Sequence, residues 1–214
     1  MYVDSKLTSF IAESTVRHGV LKMNRAQEIK QVAHQLMLEK GYSGFSYADI
    51  AAVIGIQKAS IHYHFPSKDN LVQSVLQDYR RSASDSLRKF EDTAANPRGK
   101  LENYFAYWAD RLANEPTHIC LCAMLASENS ILPEEAQCEI QAHFEEMRKW
   151  IQSVLQEAQE QGMLFPCHLS LEAEAASILA VVHGGMLAAR AYRDKQQFTM
   201  VTEALLHKIM RHQA

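Results

Sequence analysis

Between Ser46 and Lys68 the chain sets out side chains that could read and grip a polyanion. Gln57 and Ser60 can each donate and accept hydrogen bonds, which suits base edges, and Lys58 can reach a base or a phosphate. Ala59 is small enough to permit close approach. His62, Tyr63 and His64 follow on the same short segment, and Lys68 comes after the Pro66-Ser67 turn. Tyr63, His64, Lys68 and the amides opening the next helix could hold phosphates. Ser46, Gln57, Lys58, Ala59, Ser60, His62, Tyr63, His64 and Lys68 are therefore the candidate DNA contacts. The plain alternative is a buried helical hairpin whose polar face only meets water. The compact two-helix unit, Lys58, the Tyr63-His64-Phe65 run and the capped Pro66-Ser67-Lys68 turn together favour double-stranded DNA.

A second group lies in the middle of the chain, where His118, Cys120, Cys122 and Glu128 fall close together. A helix amino end lowers a thiol pKa, so Cys120 and Cys122 could serve a redox- or electrophile-sensing regulator. A small helical enzyme using His118, Cys120 and Glu128 is the reading from another class. No nucleophile motif, phosphate loop or dense metal cluster supports it, so no catalytic residue, cofactor or metal is expected. A zinc site lacks the usual Cys-x2-Cys pair. Small buried hydrophobes are the ordinary account of such cysteines, and Cys138 and Cys167 add little.

The elements that must carry these residues read as helices throughout. Ile29, Val32, Ala33, Leu36 and Met37 keep one face of a helix from about Arg25 to Lys40, stopped by Gly41. Ser46, with Asp49 three positions on, opens a short helix that Gly55 ends. A third helix runs over about 57–64, and Pro66 cannot continue it. Ser67 caps a long fourth helix. Asn96-Pro97-Arg98-Gly99 marks a joint, and further helices are expected over 98–114, 119–129, 134–161, 171–192 and 197–211. Residues 1–22 are weakly patterned, an arm or an irregular extension. The fold class is all-α with about nine helices, divided into 1–22, a three-helix helix-turn-helix DNA-binding domain at 23–70, and a larger helical domain at 71–214.

Composition bounds the function. The 214 residues are 47% hydrophobic and 22% charged, which suits a sizeable core and excludes disorder. The net charge of -3 conceals two unlike parts. Residues 1–70 hold eight Lys/Arg against six Asp/Glu, and residues 71–214 fourteen against nineteen. A slightly basic head on an acidic body is the balance expected of a DNA reader with a partner domain. No stretch approaches the roughly 20 apolar residues of a membrane span, and the start lacks a signal-peptide pattern, so a cytoplasmic location is the default.

The segment from about Arg25 to Leu76 resembles the DNA-binding domain of tetracycline-repressor (TetR) family regulators. Gly41-Tyr42, Asp49-Ile50-Ala51, Gly55, Lys58, Ile61-His62-Tyr63-His64-Phe65 and Ser67-Lys68-Asp69-Asn70-Leu71 carry the resemblance. Gln57 stands where a small hydroxyl residue is usual, and Ala59 where glycine is frequent. Gln57 is thus a capping variant or a specificity residue. The resemblance implies a homodimer, a palindromic operator and repression relieved by a small molecule, with Tyr63, His64 and Lys68 on phosphates. Residues beyond about 76 resemble the family more loosely.

That expectation directs attention to a pocket and a dimer face. Tyr104, Phe105, Trp108, Cys120, Met124, Glu128, Phe144 and Met147 are the candidate lining of an effector pocket, against the alternative of ordinary core packing. A buried Glu128 would suit a cationic or hydrogen-bonding ligand. Ala176, Leu179, His183, Gly184, Leu187, Phe198 and Leu205 are the candidate dimer interface, as a four-helix contact from two copies. Gly184-Gly185 inside a helix costs roughly 1 kcal/mol per glycine, which close approach of a helix or a ligand would explain.

Overall fold

In a computed structural model the capping signals become nine α-helices and one 3-10 turn among the described residues, which are 24–115, 119–166 and 168–211. The expected arm over 1–22, His118 and Cys167 lie outside the described residues. Helix α1 spans Arg25–Lys40, α2 Tyr47–Ile54, α3 Lys58–His64, α4 Lys68–Thr93 and α5 Pro97–Asn114. After these come α6 at Leu121–Ala126, a 3-10 turn at Asn129–Ile131, α7 at Glu134–Glu160, α8 at Leu171–Tyr192 and α9 at Gln196–Ile209. The chain divides into two units between Val75 and Leu76, inside α4.

In the first unit α1 packs on α2 and α3. Asn24 caps α1 by accepting from the Ala26 N–H, and Gly41 stops it at φ 73°. Ile29, Val32, Ala33, Leu36, Met37 and Leu38 supply its buried side, the stripe that a 3.6-residue period sets out. Gly55 closes α2 in the left-handed region at φ 77°, and the amides of Gly55 and Ile56 both donate to the Ala51 carbonyl. Glycine adopts this conformation without a Cβ penalty, which allows α3 to start after only Gly55, Ile56 and Gln57. Ile50 and Ile61 are fully buried, one from each arm of the resulting turn.

In the second unit α8 packs between α7 and α9, and α5 packs on α7, α8 and α9. Helix α7 buries Ala136, Ile140, His143, Met147, Trp150, Ile151, Val154, Leu155 and Ala158. The chain end pairs with the segment after α7: Phe165 donates to the Ile209 carbonyl at 3.1 Å and Arg211 to that of Met163 at 2.8 Å. One expected helix differs. The 119–129 segment is helical only over Leu121–Ala126, where the Ser127 hydroxyl donates to the Met124 carbonyl at 2.7 Å and a 3-10 turn follows. Hydroxyls that compete for backbone carbonyls favour helix ends over helix interiors.

Helix α8 corrects one expectation. Its 22 residues are long and apolar enough to cross a membrane by length and composition. Here Ala175, Ile178, Leu179, Val182, Met186 and Ala189 of this helix are buried in the unit. Its two adjacent glycines also separate. A Cβ on Gly185 would stand 2.8 Å from Val201 Cγ2 and 3.2 Å from Phe198 Cδ2, whereas one on Gly184 would meet nothing within 4 Å. Gly185 therefore sets the approach of α9. Gly185→Ala is expected to lower the unfolding free energy by roughly 1 kcal/mol despite the better helix propensity of alanine. The urea midpoint checks this, and a midpoint that stays or rises would show that Val201 turns aside at no cost.

Candidate functional site

The first unit presents α3 outward. Gln57, Lys58, Ala59, His62 and Tyr63 are exposed, Tyr63 by 84%, while Ile61 points into the core. Gln57 occupies the cap position of α3 but makes no side-chain cap bond. Ser60 and His64 are half-buried. His62 meets the Tyr47 ring edge-on at 4.8 Å, and Tyr63 meets His64 at 5.1 Å. Ser46 is tied to its own helix: its N–H and hydroxyl donate to the Asp49 carboxylate at 2.7 and 2.6 Å. The Ser46 hydroxyl bond holds the Asp49 carboxyl below its ordinary range.

Two side chains fasten the loops around α3. The Lys68 ammonium donates to the carbonyls of Tyr42 at 2.5 Å and Phe45 at 2.6 Å, and lies 4.5 and 4.3 Å from the centres of their rings. The Tyr47 hydroxyl lies 2.8 Å from the Phe65 carbonyl and 2.5 Å from that of Ser67. Burial, and then the nearby Asp69 charge, pushes the Tyr47 phenol up to about 12, so it stays a donor. Tyr42 in turn donates to Asp69 at 2.7 Å. Lys68, expected on a phosphate, thus also holds the α1–α2 loop. Tyr47 was expected only as part of the second helix; a tyrosine one residue after a capping serine gives no sequence signal of a clamp.

The second unit contains a cavity of about 40 Å³. Tyr79, Ser82, Ala83, Ser86, Leu87 and Phe90 of α4 line it, with Tyr104, Tyr107 and Trp108 of α5. Cys120, His143, Met147 and His183 complete the wall. Of the expected lining, Tyr104, Trp108, Cys120 and Met147 meet there. Phe105, Met124, Glu128 and Phe144 do not. Phe105 is buried in the core, and Met124 receives a 3.1 Å contact from Arg190. Glu128 is half-buried, away from the cavity lining, which removes the reason to expect a cationic ligand. Phe144 instead lines a surface groove with Ala176, Leu179, Ala180 and His183.

One end of the cavity is polar. The Sγ of Cys120 lies 3.5 Å from Nε2 of His143, and the Tyr79 hydroxyl accepts from the Leu121 N–H at 3.3 Å. Burial pushes the Cys120 thiol up, but hydrogen bonds with Cys122, His143 and His183 outweigh it and hold the thiol well below its usual range. Cys122, two residues on, is outside the lining, and burial raises it well above. Burial also raises the Tyr79 and Tyr104 phenols, which stay neutral. His143 escaped the sequence reading, although a histidine between Ile140 and Met147 on the buried stripe of α7 was a visible sign.

The expected interface residues separate. Ala176, Gly184 and Leu187 are exposed along α8, Leu187 by 53%, and His183 is half-buried beside them. Leu179 is 6% exposed in the groove wall, and Leu205 is half-buried. Phe198 is fully buried against Gly185, because α9 folds onto α8 of its own chain; it is core.

Comparison with known proteins gives concordant results. Residues 29–75 match bacterial regulatory proteins of the tetR family, and residues 97–205 match the tetracyclin repressor-like C-terminal domain. The chain is 32% identical over 188 residues to the HTH-type transcriptional repressor DhaR of Mycobacterium sp. (strain GP1), covering 84% of this chain and 91% of that one. A TetR family transcriptional regulator from Agrobacterium tumefaciens superposes with a TM-score of 0.84 at 40% identity, over 87% of this chain and 97% of that one. A TetR regulator from Legionella pneumophila gives 0.80 at 29% identity, over 89% and 100%.

The two fastened and exposed residues of the first unit should respond differently to removal. Lys68→Met strips two charge-assisted bonds and is expected to cost about 1.5–3 kcal/mol of stability. Tyr63→Ala, on an 84% exposed side chain, is expected to leave the melting temperature within about a degree of wild type. Equal melting temperatures for the two variants would show that Lys68 contributes nothing to the fold.

Proposed function

The chain belongs to the TetR family of bacterial regulators, and from that membership we propose how its own residues carry the work. It is a dimeric, sequence-specific DNA-binding transcriptional regulator released from its operator by a small-molecule effector, and not an enzyme. The reading helix is α3. Gln57, Lys58, Ala59 and Ser60 stand at its amino end, the part of a recognition helix that meets base edges in the major groove. His62, Tyr63 and His64 follow toward the backbone. Ser46 and Lys68 flank the contact. Residues 23–70 are assigned to DNA and 71–214 to effector and partner.

The cavity of the second unit is the effector site. The observation that carries this is the make-up of its wall, to which α4 contributes Tyr79, Ser82, Ala83, Ser86, Leu87 and Phe90. The same helix begins at Lys68, three residues after α3 ends with Phe65 as its cap. A volume of about 40 Å³ has room for only a few waters or a molecule of a few atoms. Any larger effector binds only a state in which the walls part. It therefore binds that state better, which is the differential affinity a switch needs. Movement of α4 away from α5 and α7 is the step that misplaces the reading helices.

Dimerisation is assigned to the open face of α8. Ala176, Ala180, Gly184 and Leu187 recur every three or four residues and are exposed, beside the groove that Phe144, Leu179 and His183 line. Small residues allow a second helix to approach closely, and a two-fold axis would set each α8 against its copy. Leu205 stands at the margin.

Selection from random double-stranded DNA tests the reading. The enriched sequence is expected to be a palindrome with half-site centres about 34–36 Å apart or a multiple of that. Tyr63→Ala should weaken binding to all variants of the site about equally and leave its salt dependence unchanged, as loss of an uncharged phosphate contact does. Leu187→Glu should give monomers that no longer bind it. An unsymmetrical enriched site, or a monomeric Leu187→Glu protein that binds as wild type does, would overturn the dimeric reading.

A further inference from the structure

Helix α4 carries three arginines that hold carboxylates, and one of them reaches off the helix. Arg81 and Arg88 pair with Asp78 and Asp85, three residues back on α4 itself. Those pairs travel with the helix and cannot resist its displacement. Arg80 instead crosses to α7, where its Nη1 donates to Glu139 and its Nε lies 3.3 Å from a Glu146 oxygen. We propose that Arg80, Glu139 and Glu146 form a latch across the seam between α4 and α7, and that its strength sets how much effector is needed to release DNA. The link to release rests on the reading that α4 parts from α7 when effector binds; the latch itself stands on the seam alone.

Glu139 and Glu146 lie two turns apart on α7 and so share a face, with His143 of the cavity wall between them. Arg80 spans the two carboxylates. Gln77, one turn earlier on α4, donates to the second oxygen of Glu139 at 3.2 Å. Both oxygens of that carboxylate are thus served from α4, and its side chain is only 13% exposed. Lifting α4 removes both donors together and leaves a shielded carboxylate bare until water arrives. That cost falls at the start of the movement, so the seam holds or parts rather than yielding by degrees.

The latch stands beside the residues it would control. Tyr79, next to Arg80, begins the α4 wall of the cavity, which runs on to Phe90. Just beyond that wall Glu91 accepts from the Trp150 indole of α7 at 3.0 Å. Helix α4 is therefore fastened to α7 on both sides of its cavity-lining stretch. The Glu91 bond has a neutral donor, whereas Arg80 brings opposite charge to two carboxylates, so the latch is the stronger fastening. An effector that needs the walls apart binds only the open fraction, and its apparent affinity is reduced by that fraction. Arg80, outside the cavity lining, is thus a positioning residue that raises the threshold of the response.

Native-state hydrogen exchange on the full-length protein tests this, because two N–H groups bonded to α4 report its departure. The Leu121 amide, first in α6 and so without a carbonyl of its own helix, donates to the Tyr79 hydroxyl at 3.3 Å, and the Trp150 indole donates to Glu91. Arg80→Met and Glu139→Gln are each expected to speed exchange at both groups about three- to ten-fold, with the double variant short of the product of the two, as for coupled residues. Amides from Ile178 to Val182 of α8 should keep their wild-type rates. Equal acceleration in α8 would show a general loss of stability, and unchanged exchange at Trp150 would show that nothing beyond the turn of Arg80 is held; either result overturns the latch. Should both variants fail to fold, Glu146→Gln, at the more exposed carboxylate, should speed both groups by about two-fold, and no change there overturns it too. The palindromic DNA obtained by selection separates the two readings. In excess it should slow exchange at both groups in the variants, because coupling between sites is reciprocal. Acceleration that DNA does not reverse upholds the latch and removes α4 movement as the route from cavity to DNA.

Discussion

Carbonyls in tight loops must find donors, and in the first unit two side chains supply them. Lys68 serves Tyr42 and Phe45, and Tyr47 serves Phe65 and Ser67. The first pair fixes the loop between α1 and α2, the second the turn between α3 and α4. The position of α3 is thus set from both of its neighbours by polar contacts rather than by packing alone. A seven-residue helix with one fully buried side chain has little else to hold it. This is why α3 can expose Lys58, Ala59, His62 and Tyr63 and still have a defined orientation. Exposure is what a reading surface requires, and the clamps make it affordable.

The second unit solves a different problem. Aromatic rings of its cavity wall are braced from behind by Trp150: Phe90 lies 6.3 Å from both Tyr104 and Trp150, and Tyr104 lies 5.6 Å from Trp150. Trp150 is anchored by its donation to Glu91 at 3.0 Å. Displacing one ring therefore disturbs several helices, and a small occupant of the cavity acts on α4, α5 and α7 together. Close packing makes such walls discontinuous in their response, so they hold or they part.

Much of this was legible in the residues. Gly41, Ser46, Gly55, Ser67 and Pro97 act at helix ends through local chemistry, and local chemistry is what a sequence displays. The stripe of α1 was legible for the same reason. The lining of the cavity was less so. Tyr104, Trp108, Cys120 and Met147 were found because aromatic and sulfur side chains draw attention, but Tyr79, Ser82 and Ser86 come from the long fourth helix, from which no lining was expected. Periodicity tells which face of a helix is buried, not against what. Phe198 shows the same limit, since an apolar stripe facing its own chain and one facing a copy have the same spacing. Cys120 and Cys122 looked alike from two residues apart; burial and the Cys120 hydrogen bond push Cys122 up, whereas hydrogen bonds with Cys122, His143 and His183 hold Cys120 down, the two histidines coming from other helices.

The two glycines of α8 divide its surface between two owners. Gly185 belongs to α9 of the same chain, and Gly184 to whatever covers the other side. A helix apolar enough to pass for a membrane span is a hazard when half of it is bare. Leu187, Tyr192 and Met200 are exposed by 53%, 72% and 59% in the single chain. With the dimer face assigned there, a newly made chain without a partner would be sticky and attractive to chaperones and proteases. The cell's supply of the regulator would then depend on assembly as well as synthesis, falling off more steeply than expression at low copy number.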